Sequence, residues 1–244
     1  MAGHSHWSSI KHKKEITDKK RGQIFSKLAR EIEVAARQGG DPDFNPKLRV
    51  AIEKAKKMKM PTENIEKAIK RGTGELKGVK LEEFVFEGLG PGGVAIIIEG
   101  ISDNIKRSLN EIKGVLKNYG GKLVGEGGVR WQFERRGCIV VNQKLKIKNQ
   151  KDKENLEMLA IEAGAEDLYW HGDVLDVYTK MEDLEKVKKI LEEKGVGVES
   201  ASLDWVAKEE IEVDQNTFQQ CQKLFSALDD LDSVQEIYSN LKTS

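Results

Sequence analysis

Residues 72–80, Gly-Thr-Gly-Glu-Leu-Lys-Gly-Val-Lys, divide the chain into two textures, and that change constrains the fold more than any other feature. Before it, apolar residues recur at helical spacing. After it, short β-branched runs alternate with helical stretches. Three glycines in nine residues make the segment a hinge. A chain that is helical on one side of a hinge and mixed on the other belongs to the α+β class. Its 244 residues suffice for two or three compact domains.

On the helical side, Ile24, Leu28, Ile32 and Ala35 form one stripe of a helix over 17–38. Lys20, Lys27, Arg30 and Arg37 fall in an opposite arc of about 100° that carries a single sign of charge. A charge run is usually only a solvated face, and the single sign is what sets this one apart. Gly39-Gly40-Asp41-Pro42 breaks the helix. Asn45-Pro46 then supplies a cap with proline at the first helical position, and Leu48, Ala51, Ile52 and Ala55 supply the next apolar face. Met60-Pro61 closes that helix. A third runs from Thr62 to Arg71, with Ile65, Ala68 and Ile69 inward and Gly72 as its stop. Three such stripes predict a small bundle.

Beyond the hinge the pattern predicts strand 94–100, helix 104–118 behind the cap Ser102-Asp103-Asn104, a short strand at 122–125 and a strand at 129–134. From Gly137 it predicts strand 138–142, helix 152–163, strands 166–170 and 173–179 about the turn Gly172-Asp173, helix 182–194 and strand 197–206. That β-α-β-β-α-β order fits a ferredoxin-like sandwich. Helix 215–228 and strand 233–238 remain, which is the α-β that 94–134 lacks. The expected architecture is therefore three domains: an N-terminal three-helix bundle and two ferredoxin-like α/β sandwiches, the second inserted in the first. The boundaries are 1–78, 79–134 plus 207–244, and 135–206. The alternative is a C-terminal extension packed elsewhere.

Charge follows the same division. Residues 1–74 hold 18 Lys and Arg against 9 Asp and Glu, a net of +9, so the remainder carries −9 in a chain of formal charge zero. Residues 209–244 alone hold 8 acidic and 2 basic side chains. Such asymmetry points to a polyanion-binding part, or to one half docking on the other. The basic end begins with an arm of 21 residues holding six Lys or Arg, three His and Trp7 against only Glu15 and Asp18. Cations for phosphates and rings for bases are what a nucleic acid takes. Trp7 has two readings, a stacking ring or an anchor folded back on the bundle. Trp131, Trp170 and Trp205 lie on strand patterns and are expected in the core or on a sheet face.

Gly88-Leu89-Gly90-Pro91-Gly92-Gly93 matches G-x-G-x-x-G, but an apolar strand follows it where a dinucleotide site needs a helix N-terminus. A flexible loop between two strands is the expectation, with Gly90, Pro91, Gly92 and Gly93 open to a partner. The arm's histidines have no cysteine or carboxylate beside them to complete a metal site, Cys138 and Cys221 stand far apart and suit a reducing cytoplasm, and no carboxylate pair is marked out for acid–base work. No catalytic residue, metal, cofactor or small-molecule substrate is expected. No apolar run approaches the ~20 residues of a membrane span, so no membrane partner is expected either.

The segments Gly3-His4-Ser5-His6-Trp7, Ile10-Lys11-His12-Lys13-Lys14, Asp18-Lys19-Lys20-Arg21-Gly22, Asn45-Pro46-Lys47-Leu48-Arg49, 64–74 (Asn-Ile-Glu-Lys-Ala-Ile-Lys-Arg-Gly-Thr-Gly) and Glu87-Gly88-Leu89-Gly90-Pro91-Gly92-Gly93-Val94 resemble the YebC/PmpR family. The likeness runs nearly the whole chain, with small departures at Gly127-Gly128-Val129 and Trp131. It implies a helical domain and two α/β domains in a non-enzymatic cytoplasmic protein. Family members are described as probable DNA-binding transcriptional regulators. Mitochondrial relatives look like translational activators, and bacterial members have been linked to the ribosome and to relief of stalling at proline runs.

The expected function is thus a nucleic-acid-binding regulator of gene expression. Its binding residues are His4, His6, Trp7, Lys11, His12, Lys13, Lys14, Lys19, Lys20, Arg21, Lys27, Arg30, Arg37, Lys47, Arg49, Lys70 and Arg71. The alternatives are a translation factor bound to ribosomal RNA and the ribosome, and a protein-interaction scaffold. These cations suit phosphates, which DNA and RNA share, and no helix stands out as a base reader.

Overall fold

A computed structural model describes residues 5–6, 18–142 and 150–242. It is of the α+β class, with seven helices and two sheets among the described residues. The chain forms two compact units. One is built on residues 18–129 and 214–237, the other on residues 130–142, 150–213 and 238–242.

In the first unit, α1 (Asp18–Ala36), α2 (Pro46–Lys57) and α3 (Thr62–Gly72) pack around Leu28, Ile32, Ala36, Leu48, Ala51, Ile52, Ala55, Met60, Ile65 and Ala68. Every one of the three stripes read from the sequence points into this core. The Asn45 side chain caps α2 by accepting the Leu48 N–H at 3.1 Å, and it donates to the carbonyls of Ala35 and Gly39 at 2.8 Å each. One amide thus ties the end of α1 to the start of α2. Gly72 lets α3 approach α1: a Cβ there would lie 2.3 Å from the Glu33 carbonyl oxygen and 2.6 Å from the Ala36 Cβ.

The first sheet is made of β1 (Ser5–His6), β2 (Glu82–Leu89), β3 (Ala95–Ser102), β4 (Lys122–Val124) and β9 (Val234–Ser239). Their order is β1-β9-β3-β2-β4. β2 and β3 form an antiparallel hairpin from Glu82↔Ser102 to Leu89↔Ala95, and β4 pairs antiparallel with the end of β2. The hairpin is closed by Gly90-Pro91-Gly92-Gly93, where the Gly90 N–H meets the Val94 carbonyl at 2.8 Å and Gly92 and Gly93 take φ of 67° and 78°. The glycine motif is therefore a strand-to-strand turn. Helices α4 (Ile105–Asn118) and α7 (Gln215–Asp229) complete the sheet's elements, and α7 begins behind Asp214, which caps the N–H groups of Asn216 and Thr217.

The second sheet is made of β5 (Phe133–Asn142), β6 (Asp167–His171), β7 (Val174–Thr179) and β8 (Val198–Ala207), in the order β6-β7-β5-β8. All three pairings are antiparallel. With α5 (Gln150–Ala163) and α6 (Leu184–Glu193) the elements follow the expected β-α-β-β-α-β order, around a core that includes Ile139, Val141, Leu156, Ala160, Leu175, Val177, Val187 and Leu191.

One expectation is corrected. The strand placed at 129–134 does not exist: Arg130–Gln132 is a single turn of 3-10 helix, and Phe133–Asn142 is one continuous strand of the second sheet. The boundary at 134/135 therefore falls inside β5, and the strand counted there is supplied to the first sheet by β2. Gly137 misled the sequence reading because glycine usually punctuates. Here it sits within β5, since a Cβ would come 2.2 Å from the Thr179 Oγ1 of the paired strand.

Candidate nucleic-acid interface

The helical period of α1 places Gln23, Lys27 and Arg30 on one side, and that side faces the end of α7. Lys27 is buried, at 8% exposure. Its ammonium donates to the Asp229 carbonyl at 2.6 Å and pairs with the Asp229 carboxylate at 3.1 Å. Arg30 donates to the Asp232 carbonyl at 2.6 Å and to the Ile101 carbonyl at 3.4 Å, and Gln23 to the Asp230 carbonyl at 3.4 Å. Helix α7 has no basic residue in its own last turn. Its last carbonyls and the negative end of its dipole are met instead by donors from α1.

Lys54 repeats the theme, with its ammonium 3.1 Å from both Glu31 and Glu236. The two carboxylates hold this amine above its usual range. The charge asymmetry along the sequence is thus partly answered inside this unit, where bundle cations dock on the acidic C-terminal stretch.

Lys27 and Arg30 therefore belong to packing, and the single-sign arc read from the sequence is divided. Arg21, Arg37, Lys47, Arg49, Lys70 and Arg71 are solvent-exposed, and Lys20 is half-buried. Lys56, Lys57 and Lys59, at and beyond the end of α2, are exposed as well and extend this basic surface beyond the expected set. The bundle's exposed cations outnumber its exposed acids, which are Asp41, Asp43, Glu53, Glu63 and Glu66. Glu31 is drawn to Lys54, Glu63 to Lys67 at 2.5 Å, and Glu33 is buried. Burial raises the Glu33 carboxyl above its ordinary range, although Arg71, Arg37 and Arg30 pull the other way.

His4, Trp7, Lys11, His12, Lys13 and Lys14 lie outside the described residues, as do the side chains of His6 and Lys19. In the hairpin turn, Gly92 and Gly93 are exposed. Gly90 and Pro91 are buried: the Pro91 carbonyl accepts from the Cys221 thiol at 3.6 Å, and a Cβ on Gly90 would stand 3.0 Å from Ile96 Cδ1 and 3.3 Å from Leu224 Cδ2. Only the two outer glycines of the expected loop can meet a partner.

One tryptophan departs from the sequence reading. Trp131 is 67% exposed, because it sits in the turn before β5 and not on a strand. Trp170 and Trp205 are half-buried as strand residues, Trp205 with Arg130 and Arg135 at 5.7 and 5.1 Å from its ring centroid. Phe44, which sequence reasoning passed over, is 88% exposed in the turn between α1 and α2. Its signal was present: an aromatic in Asp41-Pro42-Asp43-Phe44-Asn45-Pro46 has no helical or strand period to bury it.

Both thiols are buried and free. Burial, aided by Asp204 and Asp176, pushes the Cys138 thiol far up, and burial raises Cys221 to about 11. Neither is a ready nucleophile at neutral pH. Among the described residues no three His, Cys, Asp or Glu side chains form a metal-holding group, and no helix is long and apolar enough to cross a membrane.

The model of the TACO1/YebC N-terminal domain matches residues 5–75, and that of the TACO1/YebC second and third domain matches residues 81–241. The chain belongs to the TACO1/YebC family. Among the family's members, a protein of Halothermothrix orenii is 51% identical over 242 residues, covering 98% of this chain and 94% of its own. One of Aquifex aeolicus is 47% identical over 244 residues, covering 99% and 96%. Both carry the name probable transcriptional regulatory protein. The crystal structure of a conserved hypothetical protein of Aquifex aeolicus superposes with a TM-score of 0.87 at 45% identity, covering 97% of this chain and 96% of that one.

Proposed function

We propose that this protein is a non-enzymatic, nucleic-acid-binding regulator of gene expression that holds phosphates on the exposed cations of its helical bundle and N-terminal arm. The observation that carries the reading is the sorting of charge in the bundle. Arg21, Arg37, Lys47, Arg49, Lys56, Lys57, Lys59, Lys70 and Arg71 stay at the surface and outnumber the exposed acids Asp41, Asp43, Glu53, Glu63 and Glu66, while Glu31 is drawn to Lys54 and Glu33 is buried. A surface of net positive charge raises the local concentration of a polyanion and gives salt-dependent affinity. The names of the relatives support regulation of transcription. The three-module organisation belongs to the same proposal: a binding bundle, and two ferredoxin-like sandwiches of which the second is inserted in the first.

The test is titration of a labelled duplex DNA and a labelled RNA hairpin with the full chain at several salt concentrations. Arg37→Glu, Lys47→Glu and Lys70→Glu together should lower affinity by more than tenfold and flatten the salt slope by about 2–3, near one for each phosphate that no longer meets a cation. Unchanged affinity and slope would refute the surface. Crosslinking in cells, followed by sequencing of what is recovered, then decides between promoter DNA and RNA as the target.

A further inference from the structure

Phe44 is the residue of the bundle surface that its own fold does not explain. It is 88% exposed and sits in a turn that is held tightly. The Phe44 N–H donates to the Asp41 carbonyl at 3.2 Å, the Asp43 N–H to the Asp41 carboxylate at 2.9 Å, and Arg49 to the Pro42 carbonyl at 3.2 Å. Asn45, the next residue, is buried and anchored to Ala35, Gly39 and Leu48 through three hydrogen bonds. The backbone under the ring is therefore fixed while the ring itself is open to solvent. An exposed phenyl ring gains nothing for folding, and a rigid base lowers the entropy cost of using it to bind.

The surroundings select the partner. Arg37 precedes the turn, Lys47 stands in the first turn of α2 and Arg49 follows, all exposed, and α2 has no acidic residue in its first turn. Asp41 and Asp43 also stand in the turn, with Asp41 engaged by the Asp43 N–H. A flat apolar ring with Arg37, Lys47 and Arg49 in the flanking sequence matches a nucleotide, whose base offers a π-face and whose phosphate offers the charge. A protein pocket accounts for the ring alone and leaves the exposed Arg37 and Lys47 unexplained.

We infer that Phe44 is a stacking residue for an unpaired nucleobase, with Lys47 and Arg49 on the adjoining phosphates. This deepens the proposed function and rests on it: the bundle would recognise single-stranded or looped nucleic acid and not only the phosphates of a duplex. The ring does not separate an RNA loop from melted DNA, since both present the same face.

The full chain is titrated with three labelled probes, a mixed-sequence single-stranded RNA of 12 nucleotides, the single-stranded DNA of the same sequence, and the corresponding blunt DNA duplex. Phe44→Ala should weaken binding to the single strands by about 5- to 150-fold, the range expected when one stack is removed, with no change in salt slope. Binding to the duplex should be unchanged. Phe44→Trp should retain affinity, and Phe44→Leu, apolar but without a π-face, should lose it as Phe44→Ala does. Preference for the RNA or the DNA single strand names the source of the base. Full affinity in Phe44→Ala, with the Lys47→Glu variant weakened, overturns the stacking role and leaves the basic surface standing. Equal losses on single strands and duplex, or full retention by Phe44→Leu, overturn it as well, pointing to an apolar wedge. If neither Phe44→Ala nor Lys47→Glu changes affinity, the surface and the inference fall together.

Discussion

Lys27 separates packing from binding. Replacing it by Met keeps the apolar stem and removes the ammonium, which leaves the Asp229 carboxylate and its carbonyl without their common donor. Removing one partner of a fully buried ion pair costs about 3–5 kcal/mol. Here the two side chains keep 10% and 14% of their surface open, so water offsets part of the loss and about 2–3 kcal/mol remains. For a unit of this size that lowers the melting temperature by roughly 5–10 °C. Calorimetry on Lys27→Met, Asp229→Asn and the double variant should show a coupling of about 1–2 kcal/mol, because the two groups share one interaction. In the salt titration Lys27→Met should keep the native slope. A variant that melts within a degree or two of the native protein, yet loses about one unit of salt slope, would refute the assignment and return Lys27 to the phosphates.

Gly100 lies in β3, where a Cβ would fall 2.2 Å from Phe84 Cζ and 2.2 Å from the Ser233 carbonyl oxygen. Gly100→Ala should therefore cost at least about 3 kcal/mol, seen as a lowered melting temperature or loss of soluble protein, and an unchanged melt would contradict the packing. Glu33 is raised by burial above its usual 4.5. A carboxyl raised in the folded state gives stability that is full below the unfolded value and falls as pH rises through the native one. Glu33→Gln should then melt at or above the native protein at pH 7, the two converging as pH falls toward 4.5; a lower melt at pH 7 would show that attraction to Arg71, Arg37 and Arg30 outweighs burial.

Much of the fold was legible because it is locally periodic. The stripes of α1, α2 and α3 and the cap at Asn45 depend on neighbours three to eleven residues away, and all appear in the structure. Gly137 was misread for the opposite reason. Its meaning lies in Thr179 across the sheet, and a glycine demanded by close approach looks in sequence like one that ends an element. Trp131 was misplaced with it, since the strand assigned to it begins only at Phe133.

The candidate site divides in the same way. The sequence by itself determined that α1 has an apolar side and a cationic side, because 3.6 residues per turn leave no other arrangement. It determined also that the basic charge collects before the hinge and the acidic charge near the end. Only the tertiary structure decided which cations stay at the surface. Lys27 and Arg30 meet carbonyls and a carboxylate some 200 positions away in sequence, at the exposed end of a helix that lacks a basic residue of its own. A lysine turned to water and a lysine turned to a distant helix end obey the same local rules. What distinguishes them is the partner, and only the folded chain supplies it.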